Sequence, residues 1–233
     1  MLMFLPGLIC DSRIYSDQQA AFPDAMVIDG YGMANSLTEM AGVVLGAADE
    51  HGADRLDIFG HSMGGRIALE MFRLAPHRIR RLALVSTGTH PATPAEQERY
   101  AQLQRIGHDR GFEALVDTWL PPMMAQCSRD TPAFVTMREM CLSKGQAVFD
   151  VQVNALLNRP PFEELLAQVY CPTLVMSGEC DTWSPPAQHR QIAANIADAA
   201  LVVVPGAGHM LPLEAPEAVS VAVAGWLSQP AGS

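Results

Sequence analysis

The sequence predicts an α/β fold in which a mostly parallel, doubly wound sheet of about six strands is covered by helices. Six short apolar runs lack the alternation of a half-exposed strand, which is typical of strands buried on both faces. Segments with helical spacing follow most of these runs, as in parallel βαβ units. A chain of 233 residues with 49% hydrophobic content is long enough to build one large core.

The elements of this core follow in chain order. The predicted strands are the apolar runs Leu2 to Pro6, Ala25 to Asp29, Leu56 to Gly60, Leu82 to Ser86, Thr173 to Gly178 and Leu201 to Pro205. The apolar spacing predicts helices over Ser36 to Glu50, Met63 to Ala75, Ala187 to Ala197 and Pro216 to Leu227. Ser36 lies three residues before Glu39, which is the pattern of a helix N-cap. We therefore assign residues 1–90 and 170–233 to the sheet-containing core.

Residues 91–169 interrupt the alternation of strand and helix. No strand candidate stands out there, but glycine and proline separate four helix-like stretches: PAEQERYAQLQRI, GFEALVDTWL, DTPAFVTMREMCL and AVFDVQVNALLN. We interpret this region as a helical insertion between the fourth and fifth strands. Most of its large apolar side chains are expected in the core, and Trp119, Met123 and Met124 are our candidates for lining a substrate pocket.

Charge excludes two classes of partner. The net charge is −10, and the only dense basic cluster runs from Arg78 to Arg81, a pattern that more often caps a helix or flanks a strand than binds phosphate. Nucleic acid and anionic membranes are therefore not expected partners. No apolar run approaches ~18 residues, so we expect no membrane span.

The number and spacing of the cysteines indicate the redox state of their thiols and whether they bind a metal. The five are scattered, odd in number and without C-x-x-C spacing, so they are expected to be reduced thiols without a metal. The apolar N-terminus lacks a basic region and a small-residue cleavage site, which argues against a secretory signal. We predict a cytoplasmic protein without a metal or other cofactor.

Gly60-His61-Ser62-Met63-Gly64 fits the pattern G-x-S-x-G between a predicted strand and a predicted helix. In this setting the serine occupies a sharp, strained turn, and the glycines relieve crowding. The start of the helix also offers unpaired N–H groups and a positive dipole, so the Met63 N–H is a candidate oxyanion donor. The alternative is a glycine-rich turn that only packs a helix onto a strand.

A serine nucleophile needs a base and a group that orients this base. His209 follows the last strand in a glycine-rich loop, whereas the other histidines lie in helices, polar loops or directly beside Ser62. Asp181 follows the fifth strand on the same expected edge of the sheet, and Glu179 is the alternative acid. The chain order Ser62, Asp181, His209 matches one particular fold.

With these residues in place, the chain resembles a small, lidded α/β-hydrolase, a group that includes carboxylesterases, enol-lactonases, the menaquinone-pathway enzyme of this fold and pimeloyl-carrier methyl esterases. GHSMGG matches the nucleophile turn, GECDTWSPP the acid loop and PGAGHMLPLEAPE the histidine loop. The resemblance implies that Ser62 is the nucleophile, His209 the base and later acid, and Asp181 the orienting carboxylate. It also implies that the Leu8 N–H is the second oxyanion donor, and that residues 91–169 form a lid.

The leading hypothesis is a cofactor-independent serine hydrolase acting on a modestly apolar, small-molecule carboxylic ester through an acyl-enzyme. The same triad also fits a lactonase, a thioesterase, a C–C bond hydrolase or a lyase, and the fold fits a ligand-binding receptor with vestigial activity. Five arginines are each a possible substrate carboxylate contact or a solvated charge, with the solvated state as the default: Arg66, Arg99, Arg105, Arg138 and Arg159. The sequence does not indicate an oligomeric state.

Overall fold

Parallel strands form the centre of the computed structural model, which describes residues 1–230. Within that range the strands are β1 (Leu2–Leu5), β2 (Met26–Val27), β3 (Leu56–His61), β4 (Ile79–Val85), β5 (Thr173–Gly178) and β6 (Ala199–Val204). They form one sheet in the order β2-β1-β3-β4-β5-β6, and neighbouring strands pair in parallel. The predicted fold class is therefore confirmed. The last three residues of the predicted core segment 170–233 lie outside the described residues.

Helices pack around this sheet. They are α1 (Ser16–Ala21), α2 (Leu37–Glu50), α3 (Met63–Leu74), α4 (Pro94–Arg110), α5 (Phe112–Trp119), α6 (Pro132–Leu142), α7 (Gln146–Leu157), α8 (Glu163–Leu166), α9 (Pro186–Ala194), α10 (Leu211–Glu214) and α11 (Pro216–Leu227). Ser36 caps α2, because its Oγ accepts the Glu39 N–H at 3.1 Å. Helices α1, α8 and α10 are not predicted from sequence, since four to six residues show no clear period. Among residues 1–230, no helix has both the length and the apolar character needed to cross a membrane.

Strand β4 begins at Ile79, three residues before its predicted start, and includes two members of the basic cluster. Arg81 pairs with Asp57 of the neighbouring strand, with 3.1 Å between its guanidinium and the carboxylate, and Arg80 binds the same carboxylate. These ion pairs allow charged residues to begin a buried strand. A search for apolar runs misses such a start, because it begins the strand at the first apolar residue after the charges.

The region between β4 and β5 contains helices α4 to α8, and residues 86–172 include no strand. Several hydrogen bonds connect it to the loops after β1, β4 and β6, among them Ile9 N–H to Gln152 Oε1 at 2.7 Å, Phe162 N–H to Thr89 O at 2.8 Å, and His209 N–H to Met123 O at 2.8 Å. The helices therefore lie over the carboxyl edge of the sheet, where ligand sites of open α/β sheets are found. Their function as a lid stays a prediction.

Candidate active site

Ser62 lies in the tight turn between β3 and α3, with φ 55° and ψ −116°. This backbone conformation is costly for a residue with a side chain, so neighbouring contacts must hold it. The Ser62 N–H donates to Val85 O at 2.8 Å, and Thr87 Oγ1 donates to Ser62 O at 2.7 Å. Hydrogen bonds to the last residue of β4 and to the loop after it therefore hold the turn in place.

The two glycines of the motif are required by close backbone contacts. A Cβ atom on Gly60 would overlap the backbone of Gly64, and one on Gly64 would overlap the carbonyl group of Leu5 at the end of β1. Gly65 has a similar function, because its Cβ would lie 2.7 Å from the Thr87 side chain. These glycines let α3 begin directly against β1, β3 and the loop after β4.

His209 joins the other two candidate catalytic residues in one hydrogen-bonded chain. Its Nε2 lies 2.8 Å from Ser62 Oγ, and its Nδ1 lies 2.9 Å from Asp181 Oδ2. With the proton on Nδ1, the ring donates to Asp181 and its Nε2 is free to accept the serine proton. The structure thus brings together Ser62, Asp181 and His209 from the ends of β3, β5 and β6.

Asp181 is nearly buried and remains ionised through its partners. Its Oδ1 accepts the Trp183 and Ser184 N–H groups at 2.9 Å and 2.8 Å. Burial alone would raise the pKa of this carboxyl, but attraction to His209 and the three hydrogen bonds outweigh burial and lower the pKa below its ordinary value. Glu179, the alternative acid, is exposed and accepts the Gly206 N–H at 3.1 Å instead.

Glu214 holds the histidine loop in place, a role that the sequence analysis missed. Its carboxylate accepts the N–H groups of Ala125, Gly208 and Met210 at 2.8, 3.1 and 3.0 Å. It therefore connects both neighbours of His209 to the segment after α5. The Pro-Leu-Glu sequence after His209 was part of the family motif, but nothing in it indicated that the acid binds three backbone amides.

Two further histidines near the triad are buried and neutral. His61 directs Nε2 toward His209 O at 2.8 Å, and burial, followed by repulsion from His209, lowers its pKa to about 3. His189 on α9 accepts the Thr87 N–H at 3.0 Å on Nε2, and burial lowers its pKa also. The His61 ring therefore holds the backbone of His209, and the His189 ring holds Thr87, whose hydroxyl donates to Ser62 O.

The predicted oxyanion donors lie beside the serine. Met63 is the first residue of α3, Leu8 follows β1, and both line the cavity at Ser62. Within residues 1–230 neither amide N–H has a hydrogen-bond acceptor. A Cβ on Gly7 would lie only 3.1 Å from Ser62 Cβ, so the loop that carries Leu8 closely approaches the serine. Stabilisation of an oxyanion by these groups stays a prediction.

The cavity at Ser62 has a volume of about 50 Å³ and is more polar than the sequence analysis expected. Met123 lines it, but Trp119 and Met124 do not: both are buried in the core, so their assignment to the pocket was wrong. The apolar spacing that made them candidates reports burial and does not show which cavity a side chain faces. The lining residues are Leu8, Ser62, Met63, Arg66, Ser86, Thr87, His90, Glu96, Tyr100, Met123, Leu156, Arg159, Trp183, Ser184 and His209.

The default that all five candidate arginines are solvated was wrong for two of them. Arg66 is 8% exposed and Arg159 5% exposed, and both line the cavity. Arg99 lies over the Trp183 ring, with its Cζ 4.5 Å from the ring centroid. Arg105 and Arg138 form surface ion pairs. In the described part of the chain, no group of three or more His, Cys, Asp or Glu side chains is arranged to hold a metal ion.

Comparison with known proteins shows the family. The sequence model of the family described as "Alpha/beta hydrolase family" matches residues 2–222. A curated relative from Klebsiella pneumoniae, named "Putative carbamate hydrolase RutD", is 25% identical over 186 residues, which cover 75% of this chain. This chain spans 66% of the length of that relative.

Solved structures show the same fold. A thermophilic esterase from Thermogutta terrifontis, with malate bound, is 26% identical with a TM-score of 0.89, and the match covers 97% of this chain and 88% of the esterase. The enol-lactonase from Burkholderia xenovorans LB400 is 24% identical with a TM-score of 0.87, and the match covers 98% of this chain and 91% of the lactonase.

Proposed function

This chain belongs to the alpha/beta hydrolase family, and on that premise we propose that it is a serine hydrolase that cleaves a small carboxylic ester through an acyl-enzyme on Ser62. The observation that carries the proposal is the hydrogen-bonded chain from Ser62 through His209 to Asp181, with distances of 2.8 Å and 2.9 Å. Distances in this range are those of a nucleophile and base within proton-transfer reach. The likeness to the Thermogutta esterase supports the choice of an ester.

In the proposed reaction, Ser62 Oγ attacks the ester carbonyl while His209 Nε2 takes the serine proton. The resulting oxyanion accepts hydrogen bonds from the Leu8 and Met63 N–H groups. When the tetrahedral intermediate collapses, His209 returns the proton to the leaving alkoxide and the alcohol departs. Water then attacks the acyl-enzyme with His209 as base, and the acid is released with Ser62 restored.

The walls of the cavity limit the substrate. A volume of about 50 Å³ is well below the range of drug-sized ligand pockets, which begins near roughly 300 Å³. A substrate with only a few heavy atoms beyond the ester group therefore fits the site, and a larger one requires the helices between β4 and β5 to move. This is why we propose a small ester.

A carbamate is the second candidate substrate, and the name of the Klebsiella relative is the observation that favours it. The nitrogen of a carbamate donates electron density to the carbonyl carbon, so attack is slower than on an ester, but the same residues would act in the same order. A higher kcat/KM for methyl carbamate than for methyl acetate would favour the carbamate.

The test is hydrolysis of a panel of short-chain esters by the wild type and by Ser62→Ala. We expect the variant to lose roughly 10⁴-fold or more in kcat, because the nucleophile is removed. Ser16→Ala, an exposed serine at the start of α1, is the matched control and should retain full activity. Near-normal turnover by a folded Ser62→Ala would contradict the proposal.

A separate experiment addresses the lyase mechanism. A substrate-derived acyl adduct on Ser62, detected by mass spectrometry, would exclude a lyase mechanism for that substrate.

A further inference from the structure

Arg66 and Arg159 are neighbouring buried arginines in the cavity at Ser62, but their guanidinium groups differ in how far they are satisfied. Arg159 donates to Glu96 at 2.9 Å and to three backbone carbonyl groups. Arg66 donates one hydrogen bond, to His90 O at 3.2 Å, and forms no ion pair with any described residue. A guanidinium has five N–H donors, so most of those on Arg66 have no partner among the described residues.

A nearly buried charge without an ion pair is energetically costly, so the position of Arg66, whose free donors are accessible only through the cavity, requires an explanation. Burial and then repulsion from Arg159 lower the pKa of Arg66, yet an arginine begins so far above neutrality that it keeps its charge at pH 7. The one carboxylate that lines the cavity, Glu96, is already bound to Arg159. The charged groups lining the cavity therefore leave one positive charge without a counterion.

Two hydroxyl groups that line the same cavity also have no hydrogen-bond partner among the described residues. Ser86 is fully buried, adopts a strained backbone with φ 47°, and its Oγ has no partner among the described residues. The Tyr100 hydroxyl forms no hydrogen bond to residues 1–230 either, although only 8% of the residue is exposed. Both hydroxyls can donate to an acceptor. They therefore provide, independently of the charge on Arg66, a second observation that indicates a ligand.

We propose that the substrate of the Ser62 site carries a carboxylate, which binds to Arg66 with support from Ser86 and Tyr100. This inference rests on the proposed function and narrows it to esters that bear a second, anionic group. A carboxylate matches the planar donor pair of a guanidinium and is small enough for a cavity of about 50 Å³. It replaces our expectation of a modestly apolar ester.

The first experiment compares matched esters. Monomethyl glutarate against methyl pentanoate places the carboxylate in the acyl part, and acetoxyacetate against ethyl acetate places it in the alcohol part; in both pairs a methyl group replaces the carboxylate. We expect the wild type to prefer the carboxylate in at least one pair by about tenfold or more in kcat/KM, and Arg66→Met to reduce that preference by a similar factor. Arg105→Met removes an exposed arginine of α4 and should leave the preference unchanged. The pair that shows the preference locates the carboxylate.

A second variant keeps the inference testable if Arg66→Met does not fold, and a binding measurement keeps it testable if no ester is hydrolysed. Ser86→Ala removes an Oγ that has no protein partner, so it should fold and should weaken the preference about two- to tenfold. Calorimetric binding of the same two carboxylate esters to Ser62→Ala measures recognition without turnover, and adding Arg66→Met should abolish it. Preference for the neutral esters, or binding that does not depend on Arg66, would overturn the inference even if Ser62 is confirmed as the nucleophile. If no ester is hydrolysed, the proposed function fails, and the binding measurement still decides the carboxylate site.

Discussion

The two sides of the cavity at Ser62 differ in how their polar groups are satisfied. On the side of the sheet edge, Asp181 accepts three hydrogen bonds and His209 is bound at both ring nitrogens. On the other side, the donors of Arg159 are bound to Glu96 and to backbone carbonyl groups, but most of the Arg66 donors have no partner among the described residues. The difference indicates a division of labour: groups that transfer protons must be oriented by the protein, whereas a group that recognises a substrate keeps its donors for the ligand.

Among the residues that only orient the reacting groups, the largest expected effect comes from removing the charge that orients the base. Asp181→Asn should reduce kcat by roughly 10³–10⁴-fold, because an amide can donate to His209 Nδ1 and so favour the wrong tautomer. If the two sides are independent, binding of the carboxylate esters should change little, which calorimetry would measure.

Glu179→Gln is the matched control for Asp181→Asn, because it alters an exposed carboxylate two residues away. It should leave kcat within about twofold, as expected for a surface charge. Equal losses in both variants would mean that the loop after β5 matters as a whole and that Asp181 has no special role.

A smaller effect is expected from Glu214, which positions the histidine loop without contacting the reacting atoms. Glu214→Gln should lower kcat by about ten- to a hundredfold with a smaller change in KM, because an amide has one acceptor oxygen for three backbone N–H groups. Kinetics and a denaturation midpoint are the measurements. Glu217→Gln on α11 is exposed and serves as the control. A stability loss with unchanged kcat would assign Glu214 a purely structural role.

The smallest expected effect on turnover concerns the neutral histidines that support the triad, whose ionisation instead affects stability. His61 has a pKa of about 3 in the folded protein, whereas an unfolded histidine titrates near 6.5. Between these values the unfolded state binds more protons, so the free energy of unfolding should fall as pH falls, by at most about 1.4 kcal/mol per pH unit for one such group. His189 acts in the same direction.

Chemical denaturation between pH 7 and pH 4 measures this dependence. His61→Asn should flatten the slope, and His77→Asn, an exposed residue, should not. An unchanged slope in His61→Asn would contradict the assignment of His61 as a buried neutral ring.

The sequence predicted the candidate catalytic residues at the edge of the sheet, but it predicted few of the residues that line the opposite side of the cavity. The elbow around Ser62 and the loops carrying Asp181 and His209 are short motifs whose geometry is local, and the chain order of parallel strands places their ends on one edge. Arg66, Arg159 and Glu96 meet only through the packing of α3, α4 and the segment after α7, which periodicity does not specify. For the same reason, helical spacing marked Trp119 and Met124 as apolar and buried but did not show which of them faces the cavity.

The central claim is that His209 activates Ser62, and reaction with a fluorophosphonate followed by peptide mapping tests it most directly without assuming a substrate. We predict one covalent adduct, on the peptide that contains Ser62, and a reaction rate that falls by roughly 10³-fold or more in His209→Gln. Labelling of another residue, no labelling of the folded wild type, or an unchanged rate in His209→Gln would contradict the claim.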